Sequence, residues 1–74
     1  MDNDLFRATI RKYLELRHTK NLQNLSKHTT VSCSTLYRYF DDPGKIPIEV
    51  FLQVMKALNV PHDEWMEILK GGEN

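Results

Sequence analysis

A single cysteine, Cys33, means that no internal disulfide can form, and the expected setting is intracellular. No apolar run approaches the roughly 20 residues that a membrane-crossing helix needs. The amino terminus, MDNDLFRATIRK, places acids first and has no apolar centre, unlike a secretory signal. Glycine is scarce, with three residues and no glycine-rich loop that could cradle a phosphate or form an oxyanion site. The three histidines are scattered, and with one cysteine they lack the spacing of a zinc site. There is no alternating β pattern, no internal repeat and no low-complexity segment. These absences point away from an enzyme and a metalloprotein, and no cofactor or small-molecule ligand is expected.

What remains is enough for one domain. In a chain of 74 residues, 41% are hydrophobic and 27% charged, a balance that fits a folded body. Below about 80 residues a single core rarely supplies more than ~3–5 kcal/mol, so most apolar side chains must be committed to packing. The formal net charge is zero, but its distribution is uneven. Residues 1–40 hold seven Lys/Arg against three Asp/Glu, and residues 41–74 hold three against seven. A basic face and an acidic face follow from this pattern. Phosphate binding needs only local positive charge, because affinity comes from counterions released at the contact.

Five helices are expected, in one domain over residues 1–70 with a fraying tail at 71–74. Asp2 or Asn3 caps the first helix, which runs to about Arg17 with Leu5, Phe6, Ile10, Tyr13 and Leu14 on one face. The second helix covers about Leu22–Thr29 and the third about Cys33–Phe40. Asp41-Asp42-Pro43-Gly44 forms a turn in which the aspartates bond local N–H groups. Pro47 suits the first turn of the fourth helix, which buries Val50 or Phe51, Val54, Met55 and Leu58. Asn59 ends it, and Pro61 opens a fifth helix, about His62–Leu69, with Trp65, Ile68 and Leu69 on its inner face.

Residues 21–40, NLQNLSKHTTVSCSTLYRYF, carry the functional signal. Asn21 caps the first of two short helices and Ser32 the second, each side-chain oxygen accepting a backbone N–H that would otherwise lack a partner. Leu25, Val31, Leu36, Tyr39 and Phe40 supply the apolar pattern. Small polar groups are left near the start of the second helix, an arrangement suited to insertion into a DNA major groove.

These residues resemble the lambda-repressor-like, or Cro-type, helix-turn-helix family, also called the XRE family. Leu25 and Ser26 stand for its hydrophobic and small pair, Val31 for its turn residue, Ser32 for its cap, and Leu36 and Tyr39 for its two anchors. IPIEVFLQVMKALNVPHDEWMEIL looks like the family's last two helices, broken at Ala57-Leu58-Asn59-Val60. Two positions depart: Thr30 stands where the family often has a left-handed glycine, and Lys20 where many members bury a leucine that Leu22 replaces here. Thr35-Leu36-Tyr37-Arg38-Tyr39-Phe40 also resembles the recognition helix of TetR-type repressors, but only locally. The resemblance implies an all-α, five-helix lambda-repressor-like fold and a cytoplasmic bacterial regulator, of phage or mobile-element kind, on a double-stranded DNA operator. It also implies a homodimer.

With the third helix in a major groove, Cys33, Ser34, Tyr37 and Arg38 lie nearest the bases. Arg38 is the strongest reader, because its fork matches guanine O6 and N7. Its other reading is an exposed residue paired with Asp41 or Asp42. Cys33 offers an apolar contact to a thymine methyl or is simply a small, half-buried residue. Tyr37 either reaches a phosphate or covers the helix, while Tyr39 and Phe40 complete the core. Gln23, at the positive end of the second helix, is a phosphate candidate. So are Lys20, Lys27 and Lys45, together with the two caps, Asn21 and Ser32. For a two-fold contact, Met66 is expected to act with Val60 or Phe51 and the tail. The alternative function is a protein-interaction module of the same fold, such as an antirepressor that binds another regulator.

Overall fold

Asp2 starts the first helix by accepting the Leu5 backbone N–H at 3.0 Å, which satisfies one of the donors left open at a helix amino end. The computed structural model of the chain describes residues 1–19 and 21–71. Five α-helices occupy them: α1 (Asn3–Leu16), α2 (Leu22–Ser26), α3 (Cys33–Asp41), α4 (Ile48–Ala57) and α5 (His62–Lys70). A 3-10 helix, Pro43–Lys45, joins α3 to α4. No strand occurs among the described residues. The expected all-helical class is therefore the one observed, and no described helix is long and apolar enough to cross a membrane.

α1 and α4 end in the same way. Past each last turn the backbone takes a positive φ, 56° at His18 and 54° at Asn59. The next amide then reaches back across the turn, Thr19 N–H to the Leu14 carbonyl at 2.8 Å and Val60 N–H to the Met55 carbonyl at 3.0 Å. His18 and Asn59 themselves donate to the Glu15 and Lys56 carbonyls. Both ends are Schellman caps, which pair the carbonyls that a helix leaves open at its carboxyl end. Arg17 is the C-cap of α1 rather than its last helical residue.

Elsewhere the helix limits shift for local reasons. α2 stops at Ser26, three residues short of the expected end. There the Lys27, His28 and Thr29 amides each bond a carbonyl three residues back, and the Thr29 hydroxyl competes for the Ser26 and Val31 carbonyls. Such short-range bonds tighten and end an α-helix. α3 extends one residue further than expected, to Asp41. Pro47 and Pro61 occupy the N-cap positions of α4 and α5, with extended backbone. Asp42 makes no side-chain cap to the 3-10 helix; its carboxylate faces Lys45 at 3.6 Å instead.

The core runs through all five helices. Phe6, Ile10 and Tyr13 of α1 face Leu25 of α2, Leu36 of α3, the apolar face of α4, and Trp65 and Ile68 of α5 within one buried cluster. Phe6 and Phe51 meet with ring centroids 6.0 Å apart, inside the range in which aromatic pairs attract. Trp65 donates its indole N–H to the Val60 carbonyl at 2.6 Å, so burying the ring leaves no polar atom unpaired. Val54, Met55 and Leu58 are buried as expected, Val50 and Phe51 are both buried where one of the two was expected, and Leu22 is buried where the Lys20 departure asked for a substitute. Thr9, absent from the expected core, shares the inner stripe of α1. The radius of gyration is 11.2 Å, close to the roughly 11 Å expected for one packed body of this length.

Candidate nucleic-acid interface

Asn21 and Ser32 fix the beginnings of the two motif helices. The Asn21 side-chain oxygen accepts the Asn24 amide at 3.0 Å. The Ser32 hydroxyl accepts the Thr35 amide at 3.2 Å and also pairs with the Thr35 hydroxyl at 2.9 Å. Both oxygens that sequence reasoning offered to phosphates therefore already serve as caps. α2 and α3 pack against each other, with Leu25 and Leu36 buried between them and the rest of the core.

Helical spacing then sorts the faces of α3. Leu36 is buried, and Cys33 and Phe40, three residues before it and four after, are half-buried on the same stripe. Cys33 thus leans toward the protein, which matches the small, half-buried reading of that residue. Ser34, Tyr37 and Arg38 form the opposite stripe and are exposed, Tyr37 at 49%. Tyr39 and Phe40 are partly buried and pack on the core. Arg38 makes no ion pair among the described residues, so the pairing with Asp41 or Asp42 is not observed. Gln23 is exposed on α2 and Lys27 at its C-cap, and Lys45 is exposed beside Asp42. Lys20 lies outside the described residues.

The turn between the helices departs from its expected form. Thr30 does not adopt a left-handed backbone; His18 and Asn59 are the only non-glycine residues among those described that do. Its amide and hydroxyl both donate to the Gln53 side-chain oxygen on α4, at 2.8 and 3.1 Å. The position that the family resemblance assigns to backbone freedom is held here by a side chain.

Sequence counting also missed where the basic charge goes. Arg7 donates Nε to the Phe40 carbonyl at 2.8 Å and Nη2 to the Asp41 carbonyl. Arg17 donates to the Leu58 and Asn59 carbonyls at 3.0 and 2.9 Å. Each guanidinium thus closes the carboxyl end of another helix, where open carbonyls and the negative dipole end favour a cation. Arg11 lies over the Phe40 ring at 5.3 Å. No sequence spacing signals such links, because they join residues 33 to 42 positions apart.

Lys12 and Tyr13 meet Glu64 of α5. Lys12 Nζ lies 3.2 Å from one carboxylate oxygen, and the Tyr13 hydroxyl donates to the other. The Tyr13 bond holds the Glu64 carboxyl below its ordinary range, with Lys12 acting in the same direction. Its hydrogen bond to Glu64 raises Lys12, and the same partner, followed by burial, raises Tyr13. No family model matches the chain, and no curated protein or solved structure matches it either. The candidate interface therefore stands on its own geometry: a capped helix with a buried inner edge and an outer edge of Ser34, Tyr37 and Arg38. Among the described residues no three His, Cys, Asp or Glu side chains gather as a metal site would need.

The expected two-fold surface is changed by burial. Val60 and Phe51, proposed beside Met66, are 4% and 0% exposed and serve the core of a single chain. Met66 itself is 50% exposed. Of the tail, Gly71 is the C-cap of α5, and residues 72–74 lie outside the described residues.

Proposed function

We propose that this chain is a sequence-specific DNA-binding transcriptional regulator of the Cro-like repressor type, acting in the bacterial cytoplasm by seating α3 in the major groove of an operator. The observation that carries this reading is the outer edge of α3. Arg38 is exposed and unpaired among the described residues, with Tyr37 and Ser34 beside it on one stripe. A free guanidinium has five donors in a fixed fork, and a guanine edge in the major groove presents two matching acceptors. Gln23, exposed on α2, and Lys27, exposed at its C-cap, are suited to the flanking phosphates. The resemblance of residues 21–40 to the lambda-repressor-like family supports the same reading, and a phage or mobile-element origin is part of the proposal. Binding as a dimer, with half-sites about one DNA turn apart, is part of the proposal.

The test is selection from random duplexes at moderate salt, followed by binding across a salt series. An enriched motif and a falling affinity with salt are the expected results; a pool that returns no motif removes the reading. One observation favours a second reading, a module of this fold that binds another regulator. Arg7, Lys12 and Arg17 are engaged within the chain, which reduces the charge left for phosphates. A tight one-to-one complex with a protein partner, with no salt-dependent DNA binding, is the outcome that would replace the first reading with the second.

A further inference from the structure

Among the described residues, hydrogen bonds tie the α2–α3 turn and α3 to the rest of the chain at two places only. At the carboxyl end, Arg7 of α1 holds the Phe40 and Asp41 carbonyls. At the amino end, Gln53 of α4 accepts both Thr30 donors, the amide at 2.8 Å and the hydroxyl at 3.1 Å. All other bonds of residues 27–31 are local, the Thr29 hydroxyl linking the Ser26 and Val31 carbonyls and accepting the Val31 amide at 3.4 Å. Local bonds shape the turn but cannot set its direction relative to α4.

The turn also lacks the backbone device that would set that direction. Thr30 has no left-handed conformation, so its path is one that many residues could follow and none would enforce. A backbone amide can only donate, so the oxygen of the Gln53 amide is the atom that faces Thr30. Two donors from one residue onto one acceptor fix both the position and the rotation of Thr30. Ser32 caps α3 two residues later, so a rotation at Thr30 passes into the helix with little chain to absorb it.

We infer that Gln53 is a positioning residue that sets the orientation of α3, and that it governs DNA affinity without lying on the α3 surface. This rests on the DNA-binding reading given above. Because Gln53 does not belong to the outer stripe of α3, its loss should leave the number of phosphate contacts unchanged. Gln53→Glu keeps an acceptor oxygen at the same reach and serves as the conservative variant; Gln53→Ala removes it.

Two measurements on the full chain decide the matter. Residual dipolar couplings report the direction of α3 relative to α4 in the free protein, and binding to the selected duplex reports affinity across a salt series. Gln53→Ala is expected to turn α3, to speed hydrogen exchange at the Thr30 amide, and to weaken binding about three- to tenfold at unchanged salt slope, the scale of one net hydrogen bond, because water takes up the two exposed Thr30 donors. Gln53→Glu is expected to restore the direction of α3 and the slow exchange of the Thr30 amide. Its added negative charge makes those two readouts, not affinity, the measure of rescue. Unaltered couplings in Gln53→Ala would overturn the inference, and so would a turned α3 that binds DNA as tightly as before. If the parent chain selects no duplex, the DNA reading fails alone. The couplings then decide whether Gln53 sets the helix direction.

Discussion

At the scale of the residue, the proposed DNA binding gives Arg38 and Lys27 different parts. Arg38 stands on the outer stripe of α3, and Lys27 follows the end of α2. Arg38→Ala is expected to cost about 1–3 kcal/mol on the preferred site and to relax base preference. Lys27→Ala should weaken all sequences alike and lower the salt slope by about one. Competition binding against the selected site and a scrambled duplex, at several salt concentrations, measures both. His18 offers a test of stability at the same scale. Its φ of 56° is one that a β-carbon opposes and glycine accepts. His18→Gly should therefore stabilise the fold by about 1 kcal/mol, the left-handed strain less the extra freedom glycine gives the unfolded chain. Urea denaturation measures it.

At the scale of the element, the helices were legible because their signals are local. Asp2, Asn21 and Ser32 each cap the residue three positions on, and the apolar spacing of Phe6, Ile10 and Tyr13 matches their burial. Ser34, Tyr37 and Arg38 were legible as an exposed edge of α3 on the same grounds, whereas Cys33, read together with them, is half-buried on the inner stripe. What escaped were contacts between elements. Arg7 and Arg17 entered only in the count of the basic half, yet they close α3 and α4, and Gln53 carried no signal at all. Nothing in a linear chain tells which distant carbonyl an arginine will meet. The basic half of the sequence therefore overstated the free positive surface near α3. The early end of α2 escaped for another reason: Ser26 and Thr29 fit a helix by pattern, but their hydroxyls bond nearby carbonyls.

At the scale of the whole molecule, α5 closes the core, and two tests probe its docking. Trp65 is buried with its indole bonded to the Val60 carbonyl. Trp65→Ala should cost roughly 3–5 kcal/mol, the range for deleting a buried aromatic. In so small a domain that approaches the total stability, and thermal unfolding followed by circular dichroism should show it. The link from Glu64 to Tyr13 and Lys12 makes the docking sensitive to acid. The Glu64 carboxyl titrates lower in the fold than in the unfolded chain. The unfolded state therefore takes up the proton first, and the contribution is present above the ordinary carboxylate range and lost as pH falls through the lowered value. The melting-temperature advantage of the parent over Glu64→Gln should be present at neutral pH and shrink in acid. Tyr13 works oppositely: it titrates higher in the fold, so its contribution is lost as alkali passes the raised value.

The first and last segments also touch. The Asp2 backbone amide donates to the Ile68 carbonyl at 2.9 Å, and Gly71 lies so close to the Asp2 side chain that a β-carbon there would collide with it. The start of α1 and the end of α5 thus share one contact. A methyl group there, as in Gly71→Ala, would push the Asp2 side chain off the Leu5 amide that it caps, so a change beyond α5 should loosen the first turn of α1. Faster hydrogen exchange at the Leu5 amide would register that loosening.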